Sequence, residues 1–284
     1  MKTKSLFLLA ISAMAAFAIS CNNNGKQDKT TASNDSLIDC LELDMNIKSA
    51  SQSFTVDYGE PDMASVLTIS TNVQWPEKIG DYDIKVLQDS IIAIAFPGTK
   101  ATNISDAIVQ FISNPDSLEV GAKTSKIPAD ADSLINDPAA HYATTRVQML
   151  EISDELATFN VTSSFFLGGA HPNTLCHPFT YDLSASTVID FNWIFKQGSE
   201  KALEPMVKEM VAAQLGLSDA QLDEAIIADS FFVSKTVYVL NGLIYFHYEP
   251  YELLSYNYGA VDAPIQPFEV RDMLTPNACK LFNL

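Results

Sequence analysis

Hydrophobic and polar positions change their period several times along this chain, and each change marks an element. Leu67, Ile69, Thr71, Val73 and Trp75 alternate with Thr68, Ser70, Asn72 and Gln74, which predicts a half-buried strand stopped by Pro76. The period then lengthens. Ile84, Leu87, Ile91, Ile94 and Ala95 fall at helical spacing, with Asp81 or Asp83 placed to cap the start. A second short helix is expected over Ile104–Ile112, ended before Pro115. Residues 113–140 hold Asn114-Pro115, Gly121, Pro128 and Asp137-Pro138 and read as a long irregular excursion.

Strands return over His141–Ile152 and 156–167, and the short Ser153-Asp154-Glu155 turn between them predicts an antiparallel hairpin. A smaller hairpin is expected from 179–183 and 187–190. Leu203, Met206, Val207, Met210, Val211 and Leu215 then form a helical stripe that Gly216 stops. Pro205 sits too deep for a helix capped by Ser199, so the regular helix should start later or kink there. Ser218 and Gln221 have capping-box spacing and open one more short helix. The strongest local signal is Asn241-Gly242 between two strand-like runs, which calls for a type I′ hairpin. Its register pairs Leu240 with Leu243, Tyr238 with Tyr245 and Thr236 with His247. On the other, purely apolar face Val239 meets Ile244 and Val237 meets Phe246. Together these elements predict an α+β fold: antiparallel sheets with packed helices in two intimately joined subdomains, 37–170 and 171–284.

The first residues stand outside that fold. Lys2 and Lys4 precede an uncharged, apolar run to Ile19, too short to span a bilayer, which takes roughly 20 apolar residues. The run ends in Ala18-Ile19-Ser20-Cys21, which resembles a bacterial lipobox with Ala18 where leucine is commoner. Residues 1–20 are therefore expected to be a lipoprotein signal peptide, with Cys21 carrying the lipid. Residues 21–36 contain little to bury and read as a flexible tether. The expected location is the cell envelope: lipid-anchored to a membrane, on the outer membrane or facing the periplasm.

Charge narrows the partners. The chain of 284 residues carries 35 acids against 17 Lys and Arg, a formal net charge of −18. Such a polyanion repels phosphate backbones, so a nucleic-acid partner is excluded. Removal of residues 1–20 takes away two lysines and no acid, which makes the charge more negative and favours a cationic partner. Cys40, Cys176 and Cys279 would remain beside Cys21, an odd number of thiols that is better read as small buried hydrophobes than as a disulfide framework.

Catalytic spacings such as H-E-x-x-H, G-x-S-x-G, S-x-x-K, the P-loop and C-x-x-C are absent. His171, Cys176 and His177 are close in sequence, but adjacent Cys176 and His177 would point to opposite faces of a strand, so no metal and no cofactor is expected. Segment 238–258 holds six of the ten tyrosines. A tyrosine offers a flat apolar ring with a polar tip, suited to sugar rings or to protein contacts. The candidate ligand-binding residues are accordingly Tyr238, Tyr245, His247, Tyr251, Glu252 and Tyr256, together with His171 and Asn173.

Two stretches carry a family resemblance. Gly168-Gly169-Ala170-His171 with the following Phe179-Thr180-Tyr181-Asp182-Leu183, and the later run from Tyr245 through Glu249-Pro250-Tyr251-Glu252 to Tyr256, occur in order. They resemble the extracytoplasmic module of RsiV-type lysozyme-sensing anti-sigma factors and of PdaC-type peptidoglycan deacetylases. Pro172 stands where that pattern usually has a glycine. The resemblance includes neither a sigma-binding segment nor a deacetylase domain, so neither activity carries over. It implies an envelope-exposed module, in a family of largely unknown function, that binds a lysozyme-like basic protein or a peptidoglycan-type glycan. The alternatives are an envelope hydrolase using His171 with Glu249 or Glu252, and a structural or assembly lipoprotein.

Overall fold

The computed structural model describes residues 41–57, 65–118, 123–126, 141–168 and 170–284. The expected signal peptide, tether, Cys21 and Cys40 lie outside them, as does most of the 113–140 excursion. The described residues all belong to one compact unit. Among the described residues, no helix is long and apolar enough to cross a membrane.

Seven strands build the larger sheet: β1 (Leu43–Asp57), β2 (Ser65–Ile79), β3 (Lys123–Lys126), β4 (His141–Ile152), β5 (Leu156–Phe166), β6 (Asn173–Asp182) and β7 (Thr187–Ile189). Their spatial order is β3-β1-β2-β4-β5-β6-β7. All neighbours are antiparallel except β2 and β4. That parallel pair was not anticipated. Its strands are joined by a crossover containing α1 (Lys85–Ala95) and α2 (Ile104–Ile112), which is what a parallel connection requires. The two helices cover one face of the sheet. Leu87, Ile91, Ala95, Ala107 and Ile108 pack there against Val73, Trp75, Val147, Phe159 and Tyr181.

Two sequence expectations are corrected. Pro76 does not end β2: it stays in register opposite Met45, and a bulge at Glu77, where the pairing steps to Asp44 with Lys78, carries the strand on to Ile79. Helix α4 (Glu200–Leu215) is regular from its first turn and encloses Pro205. Pro205 and Lys201 both lie on the solvent side, so the carbonyl that Pro205 leaves without a donor faces water. Gly216 closes α4 in the left-handed conformation at φ 66°, as the stripe implied. The capping box at Ser218 and Gln221 opens α5 (Asp219–Ala225).

The smaller sheet has the order β10-β9-β8, from β8 (Val237–Leu240), β9 (Leu243–Tyr248) and β10 (Val261–Ile265). Asn241 and Gly242 turn between β8 and β9 with φ of 51° and 73°, and the pairing follows the expected register. Val237, Val239, Ile244 and Phe246 join α3 (Phe191–Ile194), α4 and α6 (Pro276–Leu281) in a second core. The expected boundary at residue 171 falls between β5 and β6, which pair with each other in the larger sheet.

Among the described residues the sheets meet through polar contacts at Val239, at the hairpin turn and at Glu249. Val239 on β8 donates its N–H to Thr180 Oγ1 at 2.8 Å and accepts at its carbonyl from Thr158 Oγ1 at 2.6 Å. The two threonine hydroxyls are 2.9 Å apart and fully buried. Glu151 on β4 accepts from the Asn241 N–H in the hairpin turn, and Glu249 accepts from the Cys176 N–H on β6. Thr180→Val keeps the shape but removes the acceptor of a buried amide. The loss should be about 1–3 kcal/mol in urea unfolding, while exposed Ser51→Ala should stay within about 0.5 kcal/mol.

Candidate functional site

Residues 249–258 follow β9 and return past the start of β6. The turn is fixed locally: Glu252 N–H donates to the Glu249 carbonyl, and the Glu252 carboxylate accepts from Glu249 N–H. Leu253 and Leu254 are buried and anchor the segment, and this holds Tyr251 at φ 69°. The left-handed region costs an aromatic residue about 1 kcal/mol, so the surrounding contacts impose that conformation. The Tyr251 ring stands 54% exposed.

Opposite it, His171 precedes β6. Its ring stacks on Tyr256 at a centroid distance of 4.0 Å and an angle of 18°, and Tyr256 stacks on Tyr251 at 5.7 Å. The hydrogen bonds fix the imidazole tautomer. The Pro172 carbonyl can only accept, so His171 Nδ1–H donates to it at 2.9 Å. That leaves Nε2 to accept from the Tyr251 hydroxyl at 3.3 Å. The Tyr256 hydroxyl donates to the same Pro172 carbonyl at 2.8 Å. Three rings from two distant segments thus form one stacked cluster, with His171 and Tyr251 exposed, Tyr256 half-buried and the polar tips already paired.

The other tyrosines of the segment do different work. Tyr238 and Tyr245 stack on each other across β8 and β9 at 4.9 Å, with Tyr238 buried. Tyr248 is fully buried; its hydroxyl donates to the Phe232 carbonyl and accepts from the Ser234 N–H. Burial pushes the phenols of Tyr238 and Tyr248 well above the usual tyrosine range, and Asp262 beside Tyr238 adds to its shift. Asn173 sits half-buried where β6 pairs with Phe165, and Glu252 is spent on its own turn.

His247 is 2% exposed and lies between two carboxylates, 2.8 Å from Asp262 and 3.5 Å from Glu249. Burial alone would lower its pKa, but the hydrogen bond to Asp262 and the negative charge of the neighbouring Glu249 outweigh this and raise it to about 9. The imidazolium therefore ties β9 to β10, where Asp262 is its cross-strand partner. Through Glu249 it is also linked to the Cys176 N–H of β6. Neither Glu249 nor Glu252 is the partner of His171; the structure gives it Tyr251 instead. The sequence signal for the Asp262 contact is the β9–β10 register, which sequence reasoning left undetermined. A cleft of about 300 Å³ lined by Val161, Leu175, His177 and Glu249 flanks this linkage. Among the described residues, no three His, Cys, Asp or Glu side chains are grouped to hold a metal, and Cys176 and Cys279 are free thiols.

These features define a mixed α+β protein with an exposed histidine–tyrosine face set at the end of a sheet. Residues 192–266 match the family model described as "Protein of unknown function (DUF3298)". Two solved structures share the fold. A DUF3298-family member from Bacteroides fragilis aligns with a TM-score of 0.60 at 18% identity, over 86% of this chain and 96% of that one. A DUF3298-family protein from Pseudomonas aeruginosa aligns with a TM-score of 0.56 at 15% identity, over 84% and 97%. A Mycobacterium tuberculosis protein named "Esterase Rv3036c" is 30% identical over 113 residues, which is 38% of this chain. The match spans about half the length of that relative, 49%.

The His247 linkage makes a pH prediction. An unfolded histidine titrates near 6.5, so the raised value of about 9 gives stability that is complete below pH 6.5 and is lost as pH rises through 9. The shift corresponds to about 3 kcal/mol. His247→Gln should cost roughly that much at pH 6 and far less at pH 10, measured by urea unfolding at both pH values. An equal loss at both would show that the imidazole acts by packing and not by charge.

Proposed function

We propose that this protein is a lipid-anchored binding protein of the cell envelope that holds a cell-wall-type glycan on the His171–Tyr251–Tyr256 face. The observation that carries this reading is the exposed, pre-stacked ring surface, in which the strained Tyr251 is kept outward although Leu253 and Leu254 beside it are buried. Flat aromatic faces recognise sugar rings by apolar contact, and rigidity keeps the ordering cost of binding low. Anchoring through Cys21 rests on the lipobox-like Ala18-Ile19-Ser20-Cys21. Calorimetry with a glycan fragment of peptidoglycan should give measurable heat, and Tyr251→Ala and Tyr256→Ala should each weaken binding by about tenfold or more. Unchanged affinity in both variants would remove the site from this face. Lysozyme is the comparison ligand: heat with lysozyme and none with glycan would transfer the reading to a cationic protein partner, which the net charge of −18 also suits.

The partial similarity to a protein named as an esterase supports a second reading, ester hydrolysis. Ser65 and His141 form a serine–histidine pair at 3.3 Å, although both are buried, at 9% and 6% exposure. If this pair is catalytic, the full chain should hydrolyse p-nitrophenyl butyrate, and Ser65→Ala should abolish turnover even when assayed well below its thermal midpoint, which loss of the buried hydroxyl lowers. An inactive parent would remove the reading.

A further inference from the structure

The face of the larger sheet turned away from α1 and α2 has an unusual composition. At one level across five strands the register aligns Ser51, Ser70, Thr144, Ser164 and Thr174. The next level aligns Ser49, Asn72, Arg146, Thr162 and Cys176. Neither row contains an acid, in a chain where 35 of 284 residues are acidic. The smaller sheet covers only one end of this face, where Val239 meets Thr158 and Thr180. Beyond that end the side chains are exposed or half-buried.

The hydroxyls are already ordered. Ser70 and Thr144 are 2.9 Å apart, and Ser164 and Thr174 are 3.0 Å apart. Asn72 donates to Ser49 at 2.9 Å. In each hydroxyl pair one group donates to the other, so one O–H per pair remains free to point outward beside unused lone pairs. Such a floor offers donors and acceptors together, as a polyhydroxylated ligand requires.

Arg146 stands in the middle of this floor and is exposed. Its cross-strand neighbours are Asn72 and Thr162, and among the described residues its guanidinium meets no carboxylate. Arg146 is one of only two arginines in the chain, and its guanidinium has the planar fork that matches a carboxylate. One unpaired cation on an otherwise uncharged floor, within a strongly negative molecule, suits a ligand of sparse negative charge. A densely charged polyanion would be repelled by the rest of the protein.

We propose that this hydroxyl-lined sheet face is a saccharide-binding surface on which Arg146 selects sugars that bear a carboxylate. The proposal rests on the glycan reading above and adds the chemical class of the ligand. Thr174 is three residues from His171, so a chain crossing the floor reaches the aromatic face along β6.

The test compares two probes with the full chain in detergent: an N-acetylglucosamine oligosaccharide, which is neutral, and one of equal length containing muramic acid, which carries a carboxylate. The acidic probe should bind about tenfold or more tightly, with a preference that shrinks as salt is raised. Arg146→Gln should abolish that preference, weakening the acidic probe about tenfold or more and the neutral probe far less, while Arg146→Lys should restore only part of it. The thermal midpoint should stay near the parent value in both variants, since no hydrogen bond or ion pair to a described residue is removed and the aliphatic stem is largely kept. Equal binding of both probes by the parent, or a preference that survives Arg146→Gln, overturns the role of Arg146 and leaves the glycan reading standing. Binding of neither probe overturns both.

Discussion

The peptide unit of Val239 is the point on which the arrangement depends. β8 is the outer strand of the small sheet, and its outer edge is turned toward the larger sheet with no strand among the described residues to pair with it. A buried amide and carbonyl left without partners would each cost about 1–3 kcal/mol. Thr158 and Thr180, neighbours across β5 and β6, supply the missing partners as a closed circuit of hydroxyls. An apolar pair at those positions would bury well but could not orient the strand. Two hydroxyls at fixed spacing permit one register, and that register brings the 249–258 segment alongside the start of β6.

From that fixed seating the tyrosine-rich segment is sorted into separate functions. Tyr238 and Tyr245 brace the junction, Tyr248 ties its hydroxyl to the 232–234 backbone, and Tyr251 and Tyr256 go outward with His171. His247 belongs to the framework: its charge is neutralised by Asp262 and Glu249, and it links β9, β10 and, through Glu249, the edge of β6. The two histidines therefore have opposite electrostatic settings. One is buried between acids, and the other is a surface ring whose tautomer is set by a carbonyl and a phenol.

Local features were largely legible in the sequence, and pairings across distance were not. The Asn241-Gly242 hairpin, the Ser218 capping box and the 104–112 helix followed from neighbours a few residues apart. The Pro76 position and the course of α4 depended on surroundings that periodicity does not contain: pairing with β1 through a bulge at Glu77 in one case and solvent around Lys201 in the other. The exposed tyrosines could be named as candidates, but nothing local separated Tyr251 from Tyr248. Separation came from tertiary placement, with one ring in the core and the other on a strained turn. The hydroxyl floor was hidden for a related reason. Each strand contributes an ordinary serine or threonine, and only the combined register of five strands makes a row.

Glu249 has a further consequence for how the molecule behaves among its own copies. β7 pairs with β6 only from Thr180 to Asp182, which leaves the first half of β6 as a sheet border with outward amides. Such a border is a template on which another chain can add a strand. The Glu249 carboxylate occupies the Cys176 amide at the centre of that stretch and sets a negative charge beside it. A contact that serves the interior of one molecule thereby also guards against aggregation. This matters most where many copies are concentrated together.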